Sequence, residues 1–97
     1  MQGLAANYLS FFKVDFNENP SLVLDAAAPE DLRELVGLIR DIFGPGNIVS
    51  VYEALSVAAE SEQPQDAEVD EKVCPLEIYY FVVDFLGMKA LSAHGGD

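Results

Sequence analysis

The sequence predicts an α+β domain: a small antiparallel sheet of three to four strands with one principal helix packed on one face. Three observations lead to this fold class. One segment carries apolar residues at helical spacing, others are rich in aromatic and β-branched residues, and turn-forming residues separate them. With 97 residues and 51% hydrophobic content, the chain is expected to fold as a single domain over residues 1–97.

A hairpin is predicted at the beginning of the chain. Residues 8–16, YLSFFKVDF, alternate as a strand with one strongly apolar side. The turn cluster NENP follows at 17–20, because Asn tolerates unusual dihedral angles and Pro20 keeps its predecessor extended. Residues 21–25, SLVLD, then form a short second strand paired with the first.

The principal helix is predicted over residues 29–43, PEDLRELVGLIRDIF. Pro29 suits a first helical turn, and Gly44-Pro45-Gly46 ends the helix. Gly37 costs about 1 kcal/mol relative to Ala inside a helix, and we interpret it as a point of close packing against the sheet. Six apolar residues recur at helical spacing: Leu32, Leu35, Val36, Ile39, Ile42 and Phe43.

Two later segments complete the predicted sheet. Residues 47–60 fit both a helical stripe and a strand, and their β-branched content slightly favours the strand. Residues 76–88, LEIYYFVVDFLGM, are apolar on both sides and rich in aromatic residues, which favours a buried strand. The last residues, 92–97, are expected to form a frayed tail.

One helix cannot cover both faces of a sheet. Unless residues 47–60 form a second helix, the other face is exposed and apolar, and it indicates a homodimer or another partner. The candidate oligomer face contains five residues of the predicted strands: Leu9, Phe11, Ile78, Tyr80 and Val82.

Charge gives the strongest compositional signal. The chain has 17 acidic and five basic residues, a formal net charge of −12. Phosphate groups would be repelled, which argues against direct binding of nucleic acid or an anionic membrane, whereas a basic protein surface would be attracted. Residues 60–72, ESEQPQDAEVDEK, are predicted to be an acidic solvated loop. The candidate partner-binding residues are Glu30, Asp31, Glu34, Asp41, Glu60, Glu62, Asp66, Glu68, Asp70 and Glu71.

This acidic run matches a calcium loop only in part. Asp66, Glu68, Asp70 and Glu77 stand at positions 1, 3, 5 and 12 of the loop template. Position 6 requires a Gly for the sharp turn, and Glu71 stands there instead. We therefore predict no metal site.

Residues that support catalysis are scarce. His94 is the single histidine and lies in the Gly-rich tail, while Cys74 has no basic neighbour except Lys72. Asp15 and Asp84 are the carboxylate pair to consider for acid-base work, because adjacent strands could bring them close. Motifs for nucleotides, zinc or other cofactors are absent from the sequence. The sequence predicts a protein that is not an enzyme and uses no cofactor.

The compartment follows from what the sequence lacks. A single cysteine forms no internal disulfide, which fits a reducing compartment. The first residues, MQGLAANYLSFFK, show no basic region before apolar residues, and the longest apolar runs are far shorter than the roughly 20 residues that cross a bilayer. We expect a cytoplasmic protein.

In size and acidity the chain is similar to phage-encoded antagonists of host defence, including anti-CRISPR and anti-restriction proteins, and to bacterial immunity proteins. The similarity covers composition alone. It implies an inhibitor or decoy that occludes a basic, nucleic-acid-handling surface of a partner protein. The alternative is a non-catalytic structural or assembly module that forms a homo- or hetero-oligomer through the apolar sheet face.

Overall fold

The fold is mainly helical. The computed structural model describes residues 2–17, 19–61, 63 and 66–95. In this part of the chain the elements are α1 (Gln2–Leu9), β1 (Phe12–Asp15), β2 (Ser21–Leu24), α2 (Glu30–Phe43), α3 (Ile48–Glu60) and α4 (Leu76–Gly95). The predicted fold class, with three to four strands and one principal helix, is wrong, because the described sheet has two strands and four helices surround the core.

Helix α2 confirms the predicted principal helix to within one residue. Its pattern and both ends agree: Pro29 precedes it, and Gly44 at φ +95° follows it and donates its N–H to the Arg40 carbonyl at 2.9 Å. A positive φ strains any residue with a side chain, so Gly44 ends the helix at this point. Four residues form its buried face: Leu32, Leu35, Val36 and Ile39.

Helix α4 replaces the buried strand predicted at 76–88. Strand propensity is a weak preference that burial overrides. Pro75 starts the helix, since its carbonyl accepts the N–H groups of Ile78 and Tyr79, each at 3.0 Å. The buried residues then follow a helical period and line the core along one broad side: Ile78, Tyr79, Val82, Val83, Phe85 and Leu86.

Helix α3 settles the ambiguity at residues 47–60 against the strand that the sequence slightly favoured. It packs against both α1 and α4 and so lies at the centre of the fold. Ala54 and Ala58 of α3, and Ala5 of α1, are all fully buried. These small side chains let the two helix backbones approach closely.

The hairpin is shorter at its beginning than predicted. Residues up to Leu9 belong to α1, and the strand is limited to Phe12–Asp15. It pairs antiparallel with Ser21–Leu24, as expected for the second strand, with Phe12 opposite Leu24. The Phe12 ring meets the Tyr52 ring edge to face at 5.4 Å, which fastens the hairpin to α3.

Helices α2 and α4 run antiparallel across the core. At one end the Phe43 and Phe81 rings are 6.1 Å apart. At the other end, the Lys89 ammonium lies 3.4 Å from Asp31 and 3.2 Å from Glu34. The two contacts fix the direction of α4 relative to α2.

The predicted tail at 92–97 falls partly on α4, whose backbone continues to Gly95, and partly outside the described residues. In the part of the chain that the structure describes, none of the helices combines the length and the apolar character needed to span a bilayer.

Candidate functional site

The acidic connection between α3 and α4 has a regular pattern of exposure. From residue 66 to residue 70, exposed acids alternate with half-buried small apolar residues. Ala67 and Val69 pack against the core, and Asp66, Glu68 and Asp70 face solvent. The three acids therefore lie on the solvent side of the segment, and the two apolar residues lie on its core side. We call residues 66–70 the acidic strip.

One hydrogen bond holds the segment just beyond the acidic strip against α3, and two local hydrogen bonds join Asp70 to that segment. The Ser50 hydroxyl, buried in the first turn of α3, donates to the Val73 carbonyl at 2.8 Å. The Asp70 carboxylate accepts the Lys72 N–H at 3.0 Å, and the Asp70 carbonyl accepts the Cys74 N–H at 2.9 Å. The chain leaves the end of α3 and returns to its beginning, so the connection spans the helix, about 20 Å for 13 residues.

The carboxylates of the acidic strip have no basic partner among the described residues. The ion pairs there join Lys13 to Asp25 at 3.2 Å, and Lys89 to both Asp31 and Glu34. Hydrogen bonding to Glu34, and then to Asp31, raises the pKa of Lys89. The negative charges of Asp31 and Glu34 are therefore partly neutralised by Lys89, whereas the charges of the acidic strip are not neutralised by any described residue.

The other candidate acids are scattered. Glu30 and Asp41 are exposed near the two ends of α2, and Glu60 is the exposed last residue of α3. Glu71 is exposed immediately after the acidic strip, and Glu62 lies outside the described residues. Of the ten candidates, only those of the strip and Glu71 form a continuous stretch of exposed acids in the described chain.

The candidate oligomer face does not form as a sheet face. That expectation depended on a strand at 76–88, and this segment is helical. Ile78 and Val82 lie in the core at 2% and 0% exposure, Leu9 and Phe11 are half-buried, and Tyr80 alone is exposed. The five residues therefore do not share one exposed surface.

Cys74 is a buried structural residue in this fold. Its side chain is 1% exposed, and its Sγ lies 3.7 Å from the Pro75 carbonyl, to which the thiol donates. Burial, followed by the charge of Glu53, raises the pKa of the Cys74 thiol to about 11. A thiol with this pKa is a poor source of the nucleophilic thiolate at neutral pH.

The remaining groups proposed for chemistry do not come together. Asp84 lies on α4 rather than on a strand beside Asp15, whose carboxylate accepts the Asn17 N–H at 3.0 Å. The His94 side chain is outside the described residues. Within the described chain, no group of three or more His, Cys, Asp or Glu residues is arranged to hold a metal ion.

Sequence reasoning overlooked the alternation within the acidic run. The segment DAEVD, residues 66–70, already has the polar-apolar period of two that marks an extended segment with one side on a core. The high acid content of the run as a whole favours a solvated loop and hides this alternation. The two apolar residues in it, Ala67 and Val69, carried the missed signal.

Comparison of the chain with protein-family models, with curated protein sequences and with solved structures gave no match.

Proposed function

We propose that this protein is a non-catalytic inhibitor that places its acidic strip on a basic surface of a partner protein and so excludes the nucleic acid that the partner handles. One observation carries the proposal: Asp66, Glu68 and Asp70 are exposed on one side of a segment whose other side packs on the core. We place this activity in the cytoplasm.

The arrangement supports binding because the backbone that carries the carboxylates is packed on the core before any partner arrives. A freely moving acidic segment would lose conformational entropy on binding, whereas a segment already packed through Ala67 and Val69 loses less. Lys and Arg form charge-assisted hydrogen bonds with carboxylates as they do with phosphate. The carboxylates of the acidic strip can therefore bind the basic side chains that would otherwise bind phosphate groups. A groove built for a phosphate backbone is therefore a suitable acceptor for the strip.

The net charge of −12 supports the same proposal at longer range. Electrostatic attraction to a basic surface accelerates association and weakens as salt screens the charges. Complex formation should therefore become slower and weaker as salt is raised. A complex that persists unchanged well above physiological salt would contradict a charge-driven mechanism.

The experiment compares two variants of equal charge. One removes two carboxylates from the acidic strip, Asp66→Asn with Glu68→Gln. The other removes two exposed carboxylates from α4, Glu77→Gln with Asp84→Asn. Each variant has a net charge two units less negative than that of the unmodified chain, so overall charge is matched and position alone differs.

Each protein is immobilised and used to capture proteins from nuclease-treated lysate, and the captured protein is identified and purified. We expect it to bind nucleic acid, to release it when the inhibitor is added, and to bind the strip variant at least tenfold more weakly than the α4 variant. Equal binding of both variants, or capture that added nucleic acid does not reverse, would contradict the proposal.

A further inference from the structure

A cleft of about 470 Å³ separates the hairpin from α2. This volume lies within the roughly 300–1,000 Å³ typical of ligand sites. The beginning of α3 closes one side of the cleft through Asn47, Ile48 and Val51. The two long walls come from β2 and from α2: Leu22, Val23 and Leu24 on one, and Arg33, Gly37 and Arg40 among those on the other.

The β2 wall has free backbone hydrogen-bonding groups. The Asp25 N–H donates to the Phe11 carbonyl at 2.7 Å, so residues 11 and 25 form a hydrogen-bonded pair of the ladder. Such pairs alternate along an antiparallel ladder, and the intervening residues direct their N–H and C=O groups away from the partner strand. Leu22 and Leu24 occupy these intervening positions on β2. An unpaired strand edge is a template for another strand.

The α2 wall carries the only two arginines of this acidic chain. Arg33 and Arg40 are seven residues apart, and therefore lie on one side of the helix at an axial separation of about 10.5 Å. Neither guanidinium forms an ion pair with any carboxylate in the described residues, although Lys13 and Lys89 both do. Two unpaired guanidiniums in one cleft favour a ligand with carboxylates.

Gly37 keeps the space between the arginines open. A Cβ built on Gly37 would meet no heavy atom within 4 Å. The sequence-based interpretation of Gly37 as a point of close packing is therefore wrong, because the residue faces the cleft rather than a packed neighbour. A larger side chain at this position would fill the cleft without changing its charge.

We propose that this cleft binds an extended acidic peptide segment as a third strand on the free edge of β2, with Arg33 and Arg40 bound to acidic side chains of that segment. Addition of a strand to an open edge uses backbone hydrogen bonds for affinity and alternate side chains for specificity. Acids two residues apart on the peptide stand about 6.7 Å from each other, a distance that the flexible side chains of the two arginines can span.

A peptide fits this site better than a small anion, because the cleft offers apolar side chains and backbone hydrogen-bonding groups as well as positive charge. Leu22, Leu24, Val36, Ile39 and Val51 supply apolar lining. The free edge of β2 supplies donors and acceptors in strand register, which a simple ion would leave unpaired. The site is separate from the acidic strip, so its occupancy does not depend on the proposed inhibitor function.

The test is an NMR titration of the full chain, at 0.15 M salt, with capped five-residue peptides. The probe alternates valine with aspartate. Two control peptides replace aspartate with lysine, or replace the central valine with proline, which lacks the N–H needed for pairing. We expect the aspartate peptide alone to bind, with chemical-shift changes and slowed hydrogen exchange at the amides of Leu22 and Leu24.

Protein variants locate the contact. Arg33→Gln and Arg40→Gln should each weaken binding at least tenfold, whereas Lys72→Gln, which removes the same charge from an exposed position, should not. Gly37→Leu should abolish binding, and the strip variant should leave it unchanged. The proposal is overturned if the aspartate peptide shows no binding at millimolar concentration, if Lys72→Gln has the same effect as the arginine variants, or if inorganic phosphate displaces the peptide without any response at Leu22 and Leu24.

Discussion

Raising the pH above 9 should destabilise the fold, because the buried thiol of Cys74 resists loss of its proton. Burial of the thiol raises its pKa from 9.0 to about 11. Above pH 9 the unfolded chain loses the thiol proton while the folded protein retains it, so the folded state binds more protons and stability falls as pH rises. At pH 10, which lies one unit above the pKa of the unfolded chain and one unit below that of the folded protein, the free energy of unfolding is lower by about 1.4 kcal/mol.

The assay is urea denaturation followed by far-ultraviolet circular dichroism at pH 7 and pH 10, for the unmodified chain and for Cys74→Ala. The variant loses packing at both pH values, so the quantity to compare is the change with pH within each protein. Burial also raises the pKa of Tyr8 and of Tyr79. The Tyr8 contribution is common to both proteins, whereas the charge of Cys74 is the last of the causes that raise the pKa of Tyr79, and the variant loses that part. We expect the unmodified chain to lose about 1.4 kcal/mol more than Cys74→Ala. Equal losses would refute the assignment of the raised pKa to Cys74.

Three further substitutions test the packing. Tyr8→Phe should stabilise the fold by about 1 kcal/mol in urea denaturation, because the Tyr8 hydroxyl is buried without a hydrogen-bond partner in the described chain; a loss of stability would contradict this. Gly37→Ala should raise the free energy of unfolding by about 0.5–1 kcal/mol, since the added Cβ meets no atom within 4 Å, and a lower melting temperature would show a hidden clash. Ser50→Ala should lower the free energy of unfolding by about 1 kcal/mol, because it removes the 2.8 Å hydrogen bond to the Val73 carbonyl. It should also accelerate hydrogen exchange at the Val73 amide, and unchanged exchange would mean that the bond does not anchor the segment.

Helix α2 could be predicted from the sequence because several local signals agree on it. Its apolar period, the Pro at its start and the Gly beyond its end all favour a helix over nearly the same residues. The second strand of the hairpin was predicted for a similar reason, since it follows a clear turn cluster. In both cases the local preference and the final packing favour the same structure.

Helix α4 could not be predicted from propensity, since its tyrosines, valines and phenylalanines are typical of strands. The helical signal lay in its polar residues. Glu77 and Asp84 are seven residues apart, two helical turns, and both are exposed. The predicted strand at 76–88 is also 13 residues long, longer than the four to eight residues of a usual buried strand. Residue type favours a strand more strongly than these two signals favour a helix.

The acidic strip and the cleft differ in how far tertiary structure is needed to find them. The acidic strip is a local feature, and the alternation at 66–70 could have been found from the sequence. The cleft could not, because it joins β2 to Arg33 and Arg40 across a turn and a helix face. The sequence shows two arginines seven residues apart, but not that a free strand edge lies opposite them.

Carbodiimide cross-linking of the purified complex, analysed by mass spectrometry, would show which carboxylates meet the partner. Carbodiimide joins a carboxylate to an amine with no spacer, so each product that links the two proteins identifies a carboxylate and a lysine in contact at the interface. We expect Asp66, Glu68 and Asp70 to be joined to lysines of the nucleic-acid-binding surface of the partner, and we expect added nucleic acid to prevent these products. Cross-links concentrated on the acids of α2 or α4, or cross-links insensitive to nucleic acid, would contradict the proposed inhibitor function.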